Sequence, residues 1–139
     1  MKNKTEKSYI YFTNQATIKR NFKIGQTASM YTRSTKLWSD ERMAIARYVS
    51  FNGTLDERLF IESYVRMMYC ANSNLVHCGS DHFKARTENN RKGAENKFFQ
   101  YVAEAFALIE QRKGQAIPYN CHVGKWNRWD DLVDDIESL

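Results

Sequence analysis

Four side chains carry most of the chemistry that this sequence could perform: Tyr11, Lys23, Arg33 and Glu62. Residues 8–14 (SYIYFTN) and 21–26 (NFKIGQ) are aromatic and β-branched runs between polar residues, and both predict strands. Side chains alternate along a strand, so Ile10 and Phe12 share one face of the first while Tyr9, Tyr11 and Thr13 share the other. In the second, Phe22 and Ile24 lie opposite Lys23 and Gly25. If the aliphatic faces meet the core, Tyr11 and Lys23 project together from the reverse side. A cation beside a phenol favours the phenolate, lowering a pKa that is ordinarily about 10 and making Tyr11 a candidate general base. The same pattern also describes a half-exposed strand whose lysine merely snorkels to water.

Arg33 falls at helical spacing between Met30 and Leu37, near the apolar side of a short helix. An inward guanidinium needs a carboxylate or a phosphate, and an internal salt bridge answers that need as well as a ligand does. Glu62 stands between Arg58 and Arg66, each four residues away, on a segment that is otherwise apolar around most of its circumference. Glu62 could simply pair with the arginines. Alternatively the stripe looks into a cleft, with Glu62 holding Mg²⁺ and Arg58 and Arg66 meeting phosphates. His82 is either a proton donor or phosphate contact, or a structural imidazole. His77, Cys78, His82, Cys121 and His122, with Cys70, supply soft ligands for Zn²⁺, but their spacing matches no compact zinc signature, so zinc is not the expected cofactor.

The elements that must position these groups follow from pattern. Ser29 can cap a helix over about 30–38, residues 42–51 form a third strand, and Thr54–Glu57 has the Thr-x-x-Glu form of a capping box opening a helix to about 71. Residues 72–81 form a loop with room for a short strand at 75–78. Apolar residues at helical spacing predict a long helix over about 88–113, ended by Gly114 and Pro118. Trp126, Trp129, Val133 and Ile136 then mark a last amphipathic segment with an acidic outer face. Strands joined by short turns pair antiparallel, so the expected fold is α+β: a small three-stranded antiparallel sheet flanked by helices, with a C-terminal helical extension. Residues 1–114 would make the domain and 115–139 the acidic helix packed on it.

Taken in order, Tyr9-Ile10-Tyr11, Lys23-Ile24-Gly25, Arg33 eight residues after Gly25, a glutamate on the next helix, and Asp81-His82-Phe83 resemble the GIY-YIG nuclease superfamily, in the branch that writes Lys-Ile-Gly for Tyr-Ile-Gly. Tyr9 stands where that family has its first glycine. The resemblance spans about residues 8–86 and implies a metal-dependent DNA endonuclease. Under it Tyr11 is the general base that activates water and Lys23 lowers the pKa of Tyr11 or positions the nucleophile. Arg33 stabilises charge on the phosphoryl oxygens, and Glu62 binds one Mg²⁺ or Mn²⁺. The alternatives are a catalytically silent nucleic-acid-binding module on the same scaffold and a small zinc-containing interaction protein.

Charge agrees with a polyanionic partner. Residues 1–50 carry ten Lys or Arg against three Asp or Glu, and the last 39 residues reverse the balance to four against seven. Lys84, Arg86, Arg91, Lys92 and Lys97 continue the basic surface into the long helix and are candidate contacts to DNA, with RNA as the other polyanion. The apolar stripe of the acidic tail is expected to pack on the domain, and in an alternative reading its acidic face competes with DNA for that surface. No reading head for bases is recognisable, so specificity would come from loops or a homodimer. Apolar residues at 42% and aromatics at 14% argue against bulk disorder, and charges interrupt every hydrophobic run, so no membrane partner is expected. Three cysteines without a Cys-x-x-Cys, and an N-terminus without a signal-peptide core, lead to the expectation of a cytoplasmic protein with reduced thiols.

Overall fold

The computed structural model describes residues 4–79 and 81–126. In chain order the elements are β1 (Glu6–Gln15), β2 (Asn21–Thr27), α1 (Met30–Glu41), β3 (Met43–Gly53), α2 (Leu55–Cys70), β4 (Leu75–His77), β5 (His82–Ala85), α3 (Glu88–Lys113) and β6 (Tyr119–Val123). The strands form one antiparallel sheet in the order β4-β5-β2-β1-β3-β6.

The class is α+β, but the sheet has six strands rather than three. The central trio β2-β1-β3 is the one the sequence predicts. Its two outer strands each present a row of backbone N–H and C=O groups that need partners, and short segments supply them. On the β2 side the β4–β5 hairpin adds itself through Phe22 opposite Phe83 and Lys23 opposite His82. On the other side β6 pairs with β3 from Arg47 opposite Val123 to Phe51 opposite Tyr119. The added strands are only three to five residues long: β4 and β6 are largely exposed, and β5 alternates over Phe83 and Ala85 alone, too short a run to mark a strand by pattern. Residues 119–123, expected to belong to an acidic C-terminal helix over 115–139, form strand β6 instead, because β3 has an open edge to pair. The rest of that expected helix from 127 on, with Trp129, Val133 and Ile136, lies outside the described residues. No helix among the described residues is long and apolar enough to cross a membrane.

Alternation divides the sheet as expected. Ile10, Phe12, Phe22, Ile24, Val49, Phe51 and Phe83 face a core closed by α2 and α3. Phe12 stacks on Phe22 at 4.8 Å, and Phe22 on Phe83 at 5.2 Å. Tyr9, Tyr11, Met43, Ile45 and Tyr48 face the other way, under Met30 and Leu37 of α1. A register shift between Phe12 and Thr13 in the β1–β3 ladder adds one residue to β3 without exchanging the faces.

Caps fix where the helices begin. Thr54 Oγ1 accepts from the Glu57 N–H at 3.2 Å, and the Glu57 carboxylate accepts from the Thr54 N–H at 2.8 Å, the reciprocal box read from the sequence. Helix α1 runs past the predicted end at 38 to Glu41 and is closed by Arg42 in the left-handed region, φ 54°. Those extra residues matter to the site.

Candidate functional site

The site is built where β5 stops short of β2. Ile24 N–H donates to the Asp81 carbonyl at 3.1 Å, the last link across that edge. Amide groups two residues apart in a strand point the same way, so the next outward N–H is that of Gln26. The Gln26 backbone lowers the pKa of the Glu62 carboxyl on α2, which places the two side by side.

On the sheet face under α1, Tyr11 stands opposite Gly25 in the β1–β2 ladder. A Cβ built on Gly25 would lie 2.1 Å from the Tyr11 hydroxyl, so the phenol ring occupies the space a side chain would fill. Glycine is required here for close approach. Tyr11 is 2% exposed, and burial raises its pKa above the ordinary phenol value. The Arg33 charge opposes that rise, while Glu62, Asp81 and Glu41 add to it. Residues from α1, α2 and the β4–β5 connection therefore converge electrostatically on one hydroxyl.

Next to it lies a ring of four charged or polar groups. Lys23 Nζ reaches Glu41 at 3.1 Å and Asp81 at 3.3 Å. His82 lies between the same two carboxylates, Nδ1 2.9 Å from Asp81 and Nε2 2.8 Å from Glu41. Burial raises the Glu41 and Asp81 pKa values, but Lys23 and His82 outweigh it and hold both carboxyls below the ordinary carboxylate range. Glu62 goes the other way: burial dominates and Asp81 adds to it, so its carboxyl sits above that range despite Arg66 at 3.4 Å, the Gln26 N–H and Arg33.

Tyr11, Arg33 and Glu62 are thus brought together, with differences in role from the sequence reading. Lys23 does not lower the Tyr11 pKa, because its ammonium is committed to Glu41 and Asp81 and burial governs the phenol. His82 is held on both ring nitrogens. Arg33 is half-buried and has no hydrogen bond or ion pair from its guanidinium to the described residues.

Two of the six expected nucleic-acid contacts are internal. Arg58 is 5% exposed and donates to Glu6, Ser8 and Gln26, because it lies on the side of α2 that packs on the sheet. Arg91, also buried, donates to Asn14 at 2.7 Å and Glu95 at 2.9 Å, tying α3 to β1. Arg66 is half-buried beside Glu62, and Lys84, Arg86 and Lys92 are exposed. The zinc constellation is dispersed. His77 and Cys78 lie at the β4 edge, Cys121 and His122 on β6 at the opposite edge, with four strands between. At about 4.8 Å per strand no single ion reaches both.

Glu41 is the residue of this charged cluster that the sequence reading missed. A signal was present: an acid in the last turn of a helix is disfavoured by the macrodipole, so one that sits there has another reason. Here the reason is Lys23 and His82. Compared with known families, curated proteins and solved structures, the chain matches none.

Proposed function

We propose that the chain is a Mg²⁺-dependent nuclease of the GIY-YIG kind, hydrolysing phosphodiester bonds of DNA. The observation that supports this most is that Arg33 of α1 and Glu62 of α2 act through their charges on the one Tyr11 hydroxyl. A cationic group without a carboxylate partner, an acid and a phenol around one point are what phosphoryl transfer to water uses.

The donor set suits a divalent ion of the magnesium type. Glu62 carries negative charge that its surroundings under-compensate, since burial and Asp81 push its carboxyl upward. Magnesium takes one or two carboxylates and completes its shell with water and substrate oxygens. When bound, Mg²⁺ or Mn²⁺ would polarise the phosphoryl group and neutralise the leaving oxygen. The chain's own residues do the rest. Arg33 donates its free guanidinium N–H groups to the non-bridging oxygens as charge grows there. Tyr11 Oη, held protonated by burial, orients the attacking water through a hydrogen bond, and the proton that the water loses passes to solvent. Lys23, His82, Glu41 and Asp81 act as a frame holding α1 against β2 and β5, which sets the position of Arg33.

A second reading is favoured by one observation. Tyr11 is buried and held protonated, and Lys23 is engaged elsewhere, which is also the state expected of a nucleic-acid-binding module without turnover. Supercoiled plasmid incubated with wild type, Arg33→Ala and Glu62→Gln in Mg²⁺, Mn²⁺ or EDTA separates the two. Loss of one charge-stabilising group should cut nicking by about 10²–10³-fold. Nicking that survives both substitutions rejects the site, and binding without nicking in every metal favours the silent module. RNA is assayed in parallel because phosphate recognition alone does not separate the two polymers.

A further inference from the structure

Two sets of this chain's cations contrast, beside others such as Lys36, Lys92, Lys97 and Arg112 that are exposed on the helices. Lys23, Arg47, Arg58, Arg66, Arg91 and Lys113 are spent on carboxylates inside the fold. Lys19, Arg20, Lys84 and Arg86 are exposed and have no carboxylate partner among the described residues. They also lie together. The Ala85 N–H donates to the Arg20 carbonyl at 2.9 Å, and the Arg20 guanidinium donates to the Arg86 carbonyl at 3.0 Å. Asn21, next to Arg20, stands opposite Lys84 in the β2–β5 ladder. Alternation puts Lys84 on the same sheet face as His82, with Phe83 and Ala85 turned into the core. A hollow of about 330 Å³ opens between Asn21, Cys78, His82 and Lys84.

We propose that this row, running from His82 along β5 to the β1–β2 turn, binds the phosphodiester backbone of a nucleic-acid duplex and leads it across the site. In naming the ligand it rests on the nucleic-acid reading above. Exposed cations with no internal carboxylate to neutralise them gain most from displacing counterions off phosphates. The five residues from His82 to Arg86 span roughly 13 Å of extended chain, enough to follow successive phosphates. Among the described residues of that stretch no Phe, Tyr or Trp is exposed, because Phe83 is buried. Without a stacking platform the surface suits the outside of a duplex rather than splayed single-strand bases.

The test uses the full chain in EDTA, so that cleavage plays no part, with fluorescence anisotropy on labelled DNA and RNA duplexes of about 20 base pairs and on the matching single strands. Lys19→Ala/Lys84→Ala/Arg86→Ala should weaken duplex binding roughly tenfold or more near 100 mM salt and reduce the slope of log K against log salt by about 2–3. Arg112→Ala/Lys125→Ala, which removes exposed charge at the end of α3 and beyond β6, should stay within about twofold. If the triple variant fails to fold, Lys84→Ala alone carries the test, since its ammonium makes no internal hydrogen bond, with a slope change of about 1. Which duplex binds tells DNA from RNA, and dependence on the row in either supports the assignment. Equal binding by wild type and triple variant, equal losses in triple and control, tighter binding of single strands, or no duplex affinity in the wild type overturns it. Plasmid nicking is read separately. A triple variant that binds normally beside an inactive Arg33→Ala removes the row and leaves the chemistry, whereas row-dependent binding without nicking does the reverse.

Discussion

The two faces of β1 and β2 share a backbone but not a purpose. One carries Ile10, Phe12, Phe22 and Ile24 into a dry core of stacked rings under α2 and α3. The other carries Tyr11, Lys23 and Gly25, with Glu41, Asp81 and His82 gathered around them. The first face is held by apolar burial, which is large and tolerant of direction. The second is held by ion pairs and hydrogen bonds, whose net worth is small and whose geometry is strict. Stability and chemistry are therefore separable by single residues one position apart.

The largest effect that can test this separation is in the core. Phe22→Ala removes a ring stacked between Phe12 and Phe83 and should cost about 3–5 kcal/mol, a large share of a domain's stability, read from urea melts. Tyr11→Phe, on the adjacent strand but the opposite face, keeps the ring and removes one hydroxyl. It should leave stability within about 1 kcal/mol while lowering plasmid nicking by about 10²-fold or more. If Tyr11→Phe unfolds the protein, or Phe22→Ala leaves the melt unchanged, the two faces are not divided as described.

Glycines give the next contrast. Gly25 has no room for a Cβ because the Tyr11 ring is already there, whereas a Cβ on Gly93 of α3 meets nothing within 4 Å. Gly25→Ala should displace the phenol and abolish nicking with a clear fall in Tm. Gly93→Ala should add about 0.5–1 kcal/mol by removing helix-interior glycine, with nicking unchanged. Thermal melts and the plasmid assay on both proteins decide it.

Much of the first face and part of the second were legible in the sequence. Alternation alone sorted Phe12 from Tyr11 and Phe22 from Lys23, and Thr54 with Glu57 announced α2, because period and caps are local properties of the chain. Of the outer strands only β4 was legible, as the short strand at 75–78; residues 82–85 and 119–123 were not, since they become strands only by completing hydrogen bonds that β2 and β3 leave open. The direction of the Tyr11 shift was also hidden. A lysine two residues from Gly25 reads as an activator until Glu41 and Asp81 are seen to hold it. The same holds for Arg58, whose stripe with Glu62 and Arg66 is visible at four-residue spacing, while its burial against Glu6 and Ser8 depends on tertiary packing.

Acid titration probes the frame of the second face. The folded protein keeps Glu41 and Asp81 ionised below the ordinary carboxylate range, so the unfolded chain takes up protons first as pH falls. Their contribution is therefore complete above about pH 4 and is lost as pH drops through the depressed folded values. Glu41→Gln should lower Tm at neutral pH, and its gap from wild type should narrow as pH falls through the depressed folded values. A gap that stays constant with pH would mean that packing, not charge, carries the frame.

Glu62 should show the opposite sign, with the smallest effect. Burial and Asp81 raise its carboxyl above the unfolded value, so the folded state binds that proton more readily and ionisation at neutral pH costs stability. Glutamine keeps an acceptor for the Gln26 N–H while removing the charge. Glu62→Gln should therefore raise Tm at neutral pH by about 1–3 °C and lose that advantage below about pH 4. The same substitution should abolish nicking. A residue whose loss stabilises the fold and silences the activity is one whose strain serves a ligand, here a cation to offset the uncompensated charge. A fall in Tm at neutral pH would instead make Glu62 a partner of Arg66 and nothing more.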